Sequence, residues 1–244
     1  MIWVGAIGMA CLLVRAFLGL PGFGKYPGPY GDMINSLAPY QRHVTNAVAA
    51  VNFDYRGLDT LGEEFILFAA VSGLVLLLRG SRGETVLAPT YAPGDRKIVP
   101  RSEAIHWLGY GLVGAINLFG FYMVMHGHLT PGGGFQGGAI LGTASLLVYL
   151  AADYRTYCKT APKHLIELVE SLGAGAYALI GLGGIFAGGA FLQNFLPLGK
   201  RGDLFSGGTI LAINCAVGLE VAAGFALLFR EFIEETRAPR KGAE

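Results

Sequence analysis

Charge is scarce in this sequence. Lysine, arginine, aspartate and glutamate together make up 14% of its 244 residues, against about 25% in an average soluble domain. That scarcity argues against an ordinary solvated surface. With 53% hydrophobic residues, the chain also lacks the low hydrophobicity that intrinsic disorder requires. Cysteine is scarcer still. Cys11, Cys158 and Cys215 lie far apart, with no CxxC and no Cys/His ligand spacing, so zinc and iron–sulfur sites are not expected. The three read as small apolar fillers. No Gly-Lys-Ser/Thr follows the glycine-rich stretch, which argues against a phosphate loop. No Ser/His/Asp constellation and no haem motif is present. A net charge of +1 gives no reason to expect a nucleic-acid partner. The chain is expected to be neither an enzyme nor a cofactor carrier.

What is present is length in apolar runs. Stretches of about 20 apolar residues are candidate membrane spans. They run from Ile2 to about Leu20, Thr60 to Leu78, His106 to Met125, Gly132 to Ala151, Leu165 to Phe191 and Gly207 to Phe229. The fold class is therefore all-α, a polytopic membrane protein with about six transmembrane helices in the cell (inner or plasma) membrane. The first run lacks a basic leading region and a cleavage site, so a retained helix is expected rather than a signal peptide. Arg15 lies near the outer end of that span, where it can snorkel. The 38 glycines fall mostly inside the apolar runs, where small residues let helices approach closely.

Lysine and arginine set the orientation. The segments with Arg79, Arg82, Arg96, Lys97 and Arg101, with Arg155, Lys159 and Lys163, and with Arg230, Arg237, Arg240 and Lys241 are basic. The alternate loops are poorer, which places both termini in the cytoplasm. Between Asp32 and Tyr55, Val44, Ala47, Val51 and Phe53 suggest an interfacial helix. Prolines at 89, 93 and 100 mark residues 81–100 as a linker. It joins a two-helix module, 1–80, to a four-helix domain, 101–235, followed by a tail, 236–244.

Ionisable groups inside a bilayer are costly, about 2.5 to 3.5 kcal/mol for a central charge on insertion scales, so they usually face a protein interior or a wet path. The run Asp54-Tyr55-Arg56-Gly57-Leu58-Asp59-Thr60-Leu61-Gly62-Glu63-Glu64 is dense in them. Thr60 and Glu63 have the spacing of a capping box. Either Glu63 or Glu64 is also placed to exchange protons, and Arg56 to hold Asp54 or Asp59. Glu220 stands deep in the last span with no capping role, and Asn214 is less than two turns away. Glu167 and Glu170 read as residues of a hydrated helix end. His126 and His128 lie in the range that titrates near neutral pH, ahead of Thr130-Pro131-Gly132-Gly133-Gly134-Phe135-Gln136-Gly137-Gly138. In that stretch Thr130 suits an N-cap and Pro131 the first helical position. The glycines suit a packing groove.

The stretch from His128 to Gly138 resembles the signature of the B-type member of Mrp-type multisubunit sodium/proton antiporters. Phe205-Ser206-Gly207-Gly208-Thr209 through Val217-Gly218-Leu219-Glu220-Val221 is similar to the last helix of that family, and together the resemblance covers about 101–235. Asn52 through Glu63 resembles a motif near the C-terminal end of the large A-type subunit. The same module occurs as a separate subunit of energy-converting membrane-bound hydrogenases. The resemblance implies an accessory subunit of a cation/proton antiporter, with Na⁺ and H⁺ as transported ions and A-, C- and D-type subunits as partners in the bilayer. It places Asp54, Arg56, Asp59, Thr60 and Glu63 on the A-type motif, and Thr130 to Gly134 on the B-type motif. The competing implication is an ion-pumping membrane subunit of a hydrogenase-like or dehydrogenase-like respiratory complex.

Overall fold

A computed structural model of the chain describes residues 2–25, 28–82, 102–152 and 154–237. The expected linker, apart from its first two positions, and the tail beyond 237 lie outside the described residues. Helix is the only regular structure among the described residues, and the chain divides into two compact units, 1–36 and 37–244.

The first unit contains α1, Ile2–Leu18, with Arg15 in its last turn. At 1.5 Å per residue its 17 residues reach about 25 Å, less than the roughly 30 Å of a hydrocarbon core. Five other helices among the described residues are long and apolar enough to cross a membrane. The protein is a multi-pass membrane protein, with five such helices and the shorter α1 where the sequence suggests about six.

The interfacial helix expected over 32–55 forms in two pieces. α2 is Pro29–Gln41, and α3 is Ala47–Ala50, continued by a π-helical turn at Val51–Tyr55. Between them His43 adopts φ +54°, and the Asn46 side chain caps α3 by accepting from the Val48 amide. Then follow α4, Gly57–Arg82, α5, Glu103–Met125, α6, Gly134–Ala151, α7, Tyr154–Thr160, α8, Lys163–Phe186, and α9, Thr209–Arg237. The fifth span is expected from its apolar run to reach Phe191, but its helix stops at Phe186. The chain then folds back, and a Cβ at Gly181 or Gly183 would come within 2.6 Å of the rings of Phe191 or Phe195.

α9 is the axis of the second unit and packs against α4, α5, α6 and α8. Its seam with α6 is closed by glycine. A Cβ at Gly138 would lie 2.8 Å from the Gly218 carbonyl oxygen and from Val221, and one at Gly142 would lie 2.7 Å from Phe225. On the other side of α6, a Cβ at Gly137 would meet Val124 of α5 at 2.5 Å.

The start of α6 departs from the sequence reading. Thr130 is not its N-cap, and Pro131 is not its first residue. The helix begins three residues later, after Gly133. The cap comes from another helix: the buried Asn214 side chain of α9 accepts from the Gly134 amide at 2.6 Å and donates to the Val124 carbonyl at 2.5 Å. A single amide thus satisfies the open ends of two helices. Thr130 instead donates its hydroxyl to the His126 carbonyl at 3.3 Å. Phe135 is half-exposed and sets its ring edge-on against Phe225 of α9, centroids 6.4 Å apart.

Candidate functional site

α8 and α9 run antiparallel in a register that three contacts define. Lys163 pairs with Glu231, a Cβ on Gly224 would sit 3.6 Å from Glu170 Oε1, and one on Gly173 would sit 2.6 Å from the Glu220 backbone nitrogen. α4 closes the third side, with Val71 beside Gly224. Into this seam project three carboxylates, one from each helix. Glu64, Glu170 and Glu220 are 4%, 3% and 1% exposed. Glu64 and Glu170 are both within electrostatic reach of Glu220.

Neither oxygen of Glu220 has a hydrogen-bond partner among the described residues, nor has Glu64 Oε2 or Glu170 Oε1. None of the three belongs to an ion pair among the described residues. Ionised carboxylates left this way would repel one another in a low dielectric and forfeit their solvation. The seam therefore calls for protons or mobile cations as its counter-charge. It is a string rather than a cage: no group of three or more His, Cys, Asp or Glu among the described residues converges enough to hold a metal ion.

The string continues at both ends. Toward the turn end, which carries Gly57 and the 126–133 turn, the Tyr177 hydroxyl donates to the Gly57 carbonyl at 2.8 Å, with Thr60 beside it. Beyond lies Asp54, whose carboxylate accepts from Arg42 Nε at 2.6 Å and Asn194 Nδ2 at 3.1 Å. Asn194 also accepts from the Thr209 amide at the start of α9. This geometry requires Gly208, which has φ +60° and no room for a Cβ beside the Asn194 amide. Toward the basic end, Arg79 pairs with Glu167, Lys163 with Glu231 and Glu234, and Arg230 with Glu234.

Several residues selected from the sequence fall elsewhere. Glu63, one position from Glu64 and about 100° around the helix, is exposed on this chain. Arg56 pairs with Asp59, not Asp54, and both are exposed. The partner of Asp54 is Arg42, twelve residues earlier, which no local pattern reveals. Thr60 is buried inside α4, because the helix begins at Gly57 rather than at a Thr60 cap. Asn214 serves as the helix cap. Glu170, read from sequence as a hydrated helix end, is one of the three buried acids. The signal that could have found it is Gly173, one turn further along an otherwise apolar helix face.

His126 and His128 separate. His126 stacks on Tyr122 with ring centroids 4.4 Å apart. His128 is fully buried, and neither ring nitrogen has a well-aligned hydrogen-bond partner among the described residues. Its own carbonyl accepts from the Thr45 and Asn46 amides at 3.2 and 3.1 Å. Burial lowers the imidazole below its usual range, against a smaller upward pull from the Leu204 and Asp203 carbonyls. The folded state therefore binds fewer protons than the unfolded one as pH falls through about 6.5, and stability falls with it. His128→Gln is expected to flatten that acid-side loss of thermal stability in the purified protein. An unchanged pH dependence would contradict the burial argument.

A family model described as a domain related to the MnhB subunit of Na⁺/H⁺ antiporter matches residues 104–227, from α5 to within α9. The chain belongs to this MnhB-related family. The family is one of transporter subunits rather than enzymes. An uncharacterized protein of Methanocaldococcus jannaschii is 33% identical over 195 residues, 74% of each chain. The B-type subunit of the Na⁺/H⁺ antiporter of Bacillus subtilis is 39% identical over 79 residues, and the chain spans 54% of that relative's length. Among solved structures, a chain of the membrane-bound sulfane sulfur reductase, an archaeal respiratory membrane complex, matches over 97% of both chains at 30% identity and TM-score 0.70. A chain of the Mrp complex from Dietzia sp. shares the fold: 100% of this chain aligns to 26% of that one, at 24% identity and TM-score 0.71. The MnhB-related match takes in Glu170 and Glu220 but not Glu64, so the seam joins the family domain to the helix that precedes it.

Proposed function

We propose that the chain is an accessory membrane subunit of a multisubunit monovalent cation/proton antiporter, and that Glu64, Glu170 and Glu220 form part of the ion path. The observation that carries this reading is the string of three buried acids, without cationic partners among the described residues, at the meeting of α4, α8 and α9. The string suits stepwise proton transfer better than a fixed cation site, since no chelating cage forms among the described residues. Na⁺ is the cation named for the family. The basic end faces the cytoplasm by the charge rule, and A-, C- and D-type subunits complete the path. Asp54, with Arg42 and Asn194, lies at the opposite mouth. His126, Asp59, Arg56 and Glu63 lie outside the buried string. Thr130 to Gly138 serves packing rather than transport.

A second reading is favoured by one specific observation. The match to the sulfane sulfur reductase chain covers 97% of both chains, whereas the match to the Bacillus subtilis antiporter protein covers 32% of this one. In that reading the same path works inside a respiratory complex, and electron transfer in other subunits drives it.

The test is to purify the complex through a tag on this chain, identify its other components with mass spectrometry, and reconstitute it in proteoliposomes. Combined Glu64→Gln, Glu170→Gln and Glu220→Gln substitutions are expected to abolish cation-coupled proton movement while the subunits still co-purify. Undiminished movement would refute the path. Iron–sulfur or nickel–iron subunits in the preparation would select the second reading.

A further inference from the structure

The three acids do not communicate with the basic end along the seam itself. From the level of Glu170 toward the Lys163–Glu231 pair runs a buried apolar block: Val71 and Val75 of α4, Ile166 of α8, and Ala223, Ala226 and Leu227 of α9. From Gly224, beside Glu170, to Glu231 is seven residues of α9, about 10 Å of axial distance. Close-packed aliphatic side chains over that length offer no partner to a proton or a cation. The direct route is plugged.

A flanking route exists. Glu167 lies three residues before Glu170, so the two are neighbours on the α8 surface. The Glu167 side chain is 39% exposed, and it pairs with Arg79, 19% exposed, near the end of α4. This pair bridges the helices at the edge of the apolar block. Of the ion pairs at the basic end, it alone among those described includes a carboxylate one turn from a member of the buried string. We propose that Glu167 is the mouth through which protons or monovalent cations pass between the basic end and Glu170, and that Arg79 is the lock that must release it. This rests on the ion path proposed above and adds its gate. An incoming cation competes with the Arg79 guanidinium for the Glu167 carboxylate. The carboxylate side of the pair is the more open one, so a competing cation reaches Glu167 without first displacing the guanidinium from a closed site.

The experiment uses the reconstituted complex with substrate cation added from either side. Glu167→Gln is expected to raise KM at least tenfold for cation supplied from the basic end, with little change from the other side, and Glu167→Asp to restore most of the loss. Arg79→Gln is expected to let protons leak without cation exchange. If Glu167→Gln behaves as wild type while Glu220→Gln in the same preparation is inactive, the path stands and this mouth is wrong. If both behave as wild type, the path itself fails, and the mouth with it. Should Glu167→Gln not assemble, thiol labelling decides. With Cys11, Cys158 and Cys215 replaced by serine, Glu167→Cys is expected to react with a charged, membrane-impermeant reagent from the basic end, and Leu227→Cys to be protected. Equal reactivity at the two positions, or protection of both, would overturn the proposal.

Discussion

Glu220→Gln, made alone, is expected to leave the complex assembled and to slow cation-coupled proton movement at least tenfold. Glutamine keeps the volume of the side chain, so the tight approach of Gly173 to the Glu220 backbone is undisturbed. Neither oxygen of Glu220 holds a hydrogen bond among the described residues, so none of the described bonds is broken. The new amide brings donors that also lack partners, a penalty of about 1–3 kcal/mol. A modest fall in thermal stability should therefore accompany the functional loss. What the substitution removes is the ability to take and release a proton, at the middle member of a three-step string. Glu220→Asp keeps the proton and shortens the reach by one methylene, so partial activity is expected. A pH-sensitive dye trapped in proteoliposomes reads both variants. Wild-type rates for Glu220→Gln would remove this residue from the path, whatever the fate of its neighbours.

Gly138→Leu is expected to cut the amount of assembled protein about tenfold or more. The first added carbon would already stand 2.8 Å from the Gly218 carbonyl oxygen and from Val221, and the remaining carbons have nowhere to go. α6 and α9 would have to separate along their whole seam, which also carries the Asn214 cap. Overpacking of this kind costs about 1–3 kcal/mol where neighbours can shift. Here the neighbour is main chain, which cannot shift cheaply. Gly111→Leu is the control. It makes the same exchange within an apolar helix, at a position with nothing within 4 Å, and should express normally. The comparison is read by quantitative blotting of the purified complex. Equal yields for the two variants would show that the glycine seam is not what joins the helices.

The contrast between these positions shows what could be read from the sequence. The spans were legible because bilayer thickness demands a minimum apolar length. Glu220 was legible because a carboxylate in mid-span has no local role to explain it. Glu64 was visible only as one of two adjacent candidates, and choosing between them needed the rotation of α4. Glu170 was obscured by its nearness to the start of a helix. Depth in the membrane depends there on what packs alongside, and α9 covers it. The Arg42–Asp54 and Arg79–Glu167 pairs span 12 and 88 residues, and nothing local in the sequence specifies a partner at such separations. The Thr130 cap failed for a related reason. The local rule was sound, but a distant asparagine supplied a better acceptor.

The central position of α9 has a consequence for biosynthesis. α9 follows α4, α5, α6 and α8 along the chain, yet all four pack against it. Until it enters the membrane, Glu64 and Glu170 have no seam to line, Gly134 has no cap, and the glycine face of α6 looks onto lipid. α5 and α6 can pair beforehand through Gly120 and Gly137, but α4 and α8 gain their main partner only with α9. The acid seam closes only when α9 leaves the translocon. A nascent chain truncated before Thr209 should be a substrate for membrane proteases, because its acids are left uncovered.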